Sequence, residues 1–118
     1  MRERDIGYLW DIIHAIREVS QFVAGKRFGD FDGEALLRRG VERDLEIIGE
    51  AARRLSTEFR NDHPEVPWRR MIGLRNILAH EYGDVRVERI WLIATQDVPQ
   101  LRTVLEALIS SDPDAPAE

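Results

Sequence analysis

Cysteine is absent from the 118 residues, which excludes disulfides and thiolate zinc sites. Lysine is nearly absent as well, with Lys26 alone against sixteen arginines. No apolar run approaches the ~20 residues needed to cross a bilayer, and no basic-then-apolar leader opens the chain. A cytoplasmic protein without a membrane partner is therefore expected. Glycine-rich phosphate loops, internal repeats and alternating strand patterns are all missing, which removes the usual nucleotide-loop and sheet architectures. The three histidines, His14, His63 and His80, are scattered, so the sequence supports no metal site and asks for no cofactor.

What is present is charge and helical periodicity. The formal net charge is −5. The stretch from Ser111 to Glu118 holds three acids and no base, so residues 1 to 110 carry 17 basic and 19 acidic side chains, a net −2. A polyanionic partner would have to be held by a local basic patch, for which Arg69, Arg70 and Arg75 are available.

A chain of this length forms one domain with a single core, here expected over residues 1 to 110. Apolar residues recur at helical spacing at Ile6, Leu9, Ile13, Ile16 and Phe22 with Val23, predicting a first helix from about Asp5 to Ala24 that Gly25 stops. Within it, His14 reads as a partly exposed structural residue. Phe28 and Phe31 should pin the following loop, and Asp32 is a reasonable cap for the next helix. That helix should be the longest, from about Gly33 to Arg60, with the stripe Leu37, Val41, Leu45, Ile48, Ala52, Leu55 and Phe59. Leu36, Ile47 and Ala51 widen its apolar arc, which suits burial on two sides, against the bundle and a second subunit, and equally well a deeply buried helix. Glu46, Glu50 and Arg54 read as ordinary surface charges.

Pro64 and Pro67 bar helix continuation, and His63 falls in that turn. Pro67 then suits the start of a helix that Gly83 ends, spanning about Pro67 to Glu81. Beyond it, Asp84 can cap another helix carrying Val87, Ile90, Trp91 and Ala94. Pro99 interrupts that pattern, and Asp97 can cap a last helix with Leu101, Val104, Leu105, Leu108 and Ile109. The proline-containing acidic end from Ser111 should be disordered. The expected fold class is an all-α antiparallel bundle of four to five helices.

The third of these helices carries the chemistry. Its end reads Arg75-Asn76-Ile77-Leu78-Ala79-His80-Glu81-Tyr82. Asn76 and His80, four apart, share a face, while Arg75 lies about 140° round from His80 and reaches that face with its long side chain or from a second copy. An imidazole titrates near neutral pH and can take and return a proton, and a guanidinium presents a flat fork of donors that fits phosphate. Cleavage of RNA needs both: a base for the 2′-hydroxyl and a cation for the charge growing on phosphate oxygens. Spacing alone leaves open a surface arginine and a satisfied histidine, and leaves Tyr82 as an aromatic packed at a helix end.

The run resembles the Arg, four residues, His, any residue, Tyr signature of the HepT-like toxins within the HEPN superfamily. The likeness extends to Leu45-Glu46-Ile47-Ile48-Gly49-Glu50-Ala51-Ala52, to Trp68 and Gly73-Leu74, and to Ile90-Trp91 with Asp97-Val98-Pro99-Gln100-Leu101, covering roughly residues 5 to 110. The resemblance implies a helical, dimeric, metal-independent ribonuclease toxin with Arg75 and His80 as the catalytic pair. Asn76 matches the polar residue after the arginine, and with Arg70 it is expected to bind substrate. It also implies a nucleotidyltransferase antitoxin of the MntA type, which silences the toxin by transferring AMP to Tyr82. Glu81 sits at a variable position and receives no role. Two other classes fit the same residues: a non-catalytic module that holds RNA or a nucleotide, and a helical scaffold that pairs with a nucleotidyltransferase.

Overall fold

The computed structural model describes residues 3–111. Four long helical rods dominate it. The first is α1, Glu3–Val23, and the second is α3, Ala35–Arg54, with the short α2, Phe28–Gly33, between them. After α4, Thr57–Asp62, the third rod is built from α5, Trp68–Ile72, and α6, Leu74–His80. The fourth joins α7, Gly83–Leu92, through a π-helical turn, Ile93–Asp97, to α8, Val98–Ser111. No strand occurs among the described residues, so the all-α bundle stands. No described helix is long and apolar enough to cross a membrane.

The core sits where the stripes meet. Leu9, Ile12, Ile13, Ile16 and Val19 of α1 pack with Val41, Leu45, Ile48 and Ala52 of α3, and Ile90, Ala94, Val98, Leu101 and Leu105 close the other side. Gly25, at φ +71°, reverses the chain after α1 as expected, in a conformation that glycine adopts without a Cβ clash.

Several boundaries differ from the sequence reading, each for a local reason. The segment after Gly25 is a helix, capped by Asp30, whose carboxylate accepts from the Arg27 N–H at 2.9 Å. Asp32 lies inside α2, and the N-cap of α3 is Glu34. The long second helix breaks at Leu55, where ψ is 144°. There the buried Asp5 of α1 accepts hydrogen bonds from the Ser56 N–H at 2.8 Å and its hydroxyl at 2.7 Å, while Ser56 Oγ caps α4 by accepting from the Phe59 N–H. Pro99 does not interrupt the last rod. Its missing N–H falls in the first turn of α8, and the preceding π turn is closed by the Val98 N–H donating to the Ile93 carbonyl. Asp97 therefore caps nothing. Leu36 is 86 % exposed rather than part of a widened buried arc, whereas Ala51 is buried and Ile47 half-buried. The expected disordered end begins outside the described residues, apart from Ser111, which completes α8.

Candidate functional site

The third rod is held by its ends and its back. At its start Trp68 is buried and donates its indole N–H to the His63 carbonyl at 2.9 Å, while Met71 and Leu74 enter the core. Gly73 interrupts the helix formally, yet keeps right-handed angles of −69° and −12° and donates to the Arg69 carbonyl, and its own carbonyl accepts from the Asn76 and Ile77 N–H groups. The two short helices thus run on as one rod. Gly49 of α3 sets how closely it lies: a Cβ there would stand 3.0 Å from the Met71 carbonyl oxygen.

With Met71, Leu74 and the half-buried Leu78 turned inward, the outward strip of the rod is fixed. It consists of Arg69, Arg75, Asn76, Ala79 and His80, all exposed, with Ile72 half-buried among them. At about 100° per residue, Arg75 and His80 stand on either side of a ridge whose middle is Asn76 and the small Ala79. The Arg75 guanidinium reaches from that ridge to α3, where it lines a cavity of about 460 Å³ with Arg43, Glu50 and Arg54 that His80 does not line.

Arg75 is not idle there. Its Nη1 lies 3.5 Å from Glu50 Oε2, but Glu50 is also taken by Arg53 at 2.6 Å and Arg54 at 3.3 Å. The hydrogen bond from Arg53, followed by the charges of Arg53 and Arg54, holds the Glu50 carboxyl below its ordinary range. Arg75 is the loosest of the three partners, so it is aimed by Glu50 and can be surrendered to a stronger anion without leaving the carboxylate alone. Glu50 is the residue that spacing missed: its pairings with Arg53 and Arg54 are local enough to read from sequence, but the one with Arg75, 25 residues away, is not.

His80 ends α6, and among the described residues its ring makes no hydrogen bond, ion pair or ring contact. Tyr82 follows in extended conformation and is 78 % exposed, its phenol making no hydrogen bond or ring contact among the described residues. The helix stops at His80, two residues before the extended Tyr82 gives way to Gly83 at φ +66°, and α7 starts there with Tyr82 rather than Asp84 at its cap. Glu81, half-buried, pairs with Arg89 of α7 and so fixes the link on which Tyr82 is displayed.

Arg70 goes elsewhere. It turns to the far side of the rod, reaches Asp97 at 3.4 Å, and lines a groove of about 550 Å³ floored by Met71, Leu74, Ile77 and Leu101. The structure brings Arg75, Asn76 and His80 to one strip and leaves Arg70 off it. A proton acceptor, a planar cation and an amide on one rigid exposed ridge suit an extended anionic substrate better than a small buried one.

Comparison with known proteins gives the family. Residues 12–108 match the family described as Ribonuclease HepT-like. The "Putative RNase MJ1380" of Methanocaldococcus jannaschii is 38% identical over 107 residues, covering 90% of this chain and 98% of that protein. The "Probable ribonuclease HepT" of Thermococcus cleftensis is 37% identical over 108 residues, covering 92% and 98%. No solved structure matches.

Proposed function

Because the chain belongs to the HepT-like ribonuclease family, we propose that it is a metal-independent endoribonuclease, acting in the cytoplasm as the toxin of a toxin–antitoxin pair. The observation that carries this is the exposed ridge flanked by Arg75 and His80. His80 takes the proton from an RNA 2′-hydroxyl, the 2′-oxygen attacks the adjacent phosphorus, and the 5′-oxygen leaves with a returned proton. Arg75, released from Glu50, holds the charge on the non-bridging oxygens, and Asn76 donates to the same phosphate. The free ring of His80 and the loose tie of Arg75 support a substrate-loaded state in which both close on one linkage. Their separation round the ridge favours a homodimer in which a second copy's strip completes the site.

Tyr82 is the proposed control point. Its exposed phenol is open to a nucleotidyltransferase antitoxin; the tyrosine oxygen attacks the α-phosphorus of ATP and pyrophosphate leaves. Each AMP adds a phosphodiester charge two residues from His80, where it competes with RNA for Arg75.

Expression in cells should arrest growth with the wild type and not with Arg75→Ala or His80→Ala. Intact-mass measurement after co-expression with the antitoxin should show AMP increments that vanish in Tyr82→Phe. Arrest by His80→Ala would reject the catalytic assignment, increments persisting in Tyr82→Phe would reject the acceptor, and RNA binding without cutting would leave a non-catalytic module.

A further inference from the structure

Most described guanidinium groups are matched to a carboxylate, as Arg86 is to Glu42 and Arg102 to Glu106. Arg60 and Arg69 are among those that are not: among the described residues neither side chain makes an ion pair or hydrogen bond, and the buried Nε of Arg60 has no partner. These two share one crevice of about 350 Å³ between α4 and α5, completed by Thr57, Asn61, Trp68 and Ile72. In an acidic chain, two unneutralised cations, a hydroxyl and an amide converging on one hollow form an environment for an anion with several acceptor oxygens.

Its position says which anion. Ile72 and Arg69 belong to the same outward strip as Arg75, Asn76 and Ala79, so the crevice opens at the upstream end of the catalytic ridge. Arg69 to Asn76 is seven residues, about 10 Å along a helix axis. That exceeds what one phosphate can bridge and suits a polyanion lying along the rod. The geometry points to a second phosphate-binding subsite, formed by Arg60 and Arg69 with Asn61 and Thr57, that holds a backbone phosphate of single-stranded RNA away from the bond cut. The inference rests on the ribonuclease reading for its ligand but not on cleavage itself. Arg70, one residue on and paired with Asp97 across the rod, is no part of it.

The test measures binding of a labelled single-stranded RNA of about 10 nucleotides to the full chain carrying His80→Ala, across a salt series. Adding Arg69→Gln should weaken binding about tenfold and lower the slope of log affinity against log salt by about 0.7, one phosphate contact. Arg60→Gln should do the same, and Arg70→Gln should leave the slope unchanged; melting temperatures identify any variant that fails to fold. Unchanged affinity and slope in a folded Arg69→Gln protein would overturn the subsite, as would an equal loss in Arg70→Gln. If the wild type binds RNA with an Arg69-dependent slope but never cuts it, the cleavage reading falls and the subsite stands. If it cuts and Arg69→Gln changes nothing, the subsite alone falls; if no RNA binds, both do.

Discussion

A carboxyl group buried between two helices gives up either its charge or its burial, and Asp44 stays buried and holds its proton up to about pH 7. It lies 4 % exposed on α3, with Oδ2 unpartnered. Burial first, then the hydrogen bond and charge of Glu18 on α1, push it from an ordinary 3.8 up to about 7, with Arg43 opposing. Because the folded value is the higher one, the folded state binds the extra proton between those limits. The stability this proton confers is complete below about pH 4 and is lost as pH rises through about 7. An asparagine side chain in its place would supply permanently the donor that a protonated carboxyl supplies at low pH. Asp44→Asn should therefore come closest to the wild type near pH 4 and melt progressively higher than it as pH rises to 8, at about 4 °C per kcal/mol for a domain of this size. A constant difference in melting temperature between the two pH values would contradict this. At Arg75 the expectation is separable from stability. Arg75→Lys keeps the charge but loses the fork, so RNA cutting should fall at least about tenfold. Its melting temperature should stay within the small range an exposed ion pair can move, ~0–1 kcal/mol; undiminished cutting would show that only charge is required there.

At the scale of elements, the working surface depends on where the third rod lies, and Gly49 determines that. Gly49→Val would force α3 away from the Met71 carbonyl, which is backbone and cannot rotate aside. A cost of about 1–3 kcal/mol in chemical denaturation is expected, together with a larger loss of RNA cutting than that cost alone explains; denaturation and activity unchanged from the wild type would contradict the close approach. Periodicity marks such a glycine only as a weak helix residue. It likewise runs the stripe from Leu37 to Phe59 through Leu55 correctly, since Leu55 and Phe59 are both buried, but cannot show the break. The break is made by Asp5, 51 residues away in sequence from Ser56. Pro99 misleads in the opposite direction, because a π turn accommodates a missing N–H that a regular α-helix would not.

For the whole molecule, the all-α bundle and the residues of the strip are legible in the sequence because each lies within one helix. What decides which cations are available lies between helices. Glu50 ties Arg75 from α3, Asp97 removes Arg70 to another groove, and Arg60 meets Arg69 only once α4 folds against α5. Net charge is therefore a poor guide to RNA binding. The chain is acidic overall, and in the proposed subsite binding rests on the few guanidinium groups that acidity does not occupy. All of this serves one claim, that Arg75 and His80 act together on a single phosphodiester. The direct measurement is cutting of RNA by the purified full chain in EDTA, comparing the wild type with Arg75→Ala and His80→Ala at equal melting temperature. The account predicts cutting by the wild type and a fall to background in each variant, whereas His80→Ala cutting at the wild-type rate would contradict it.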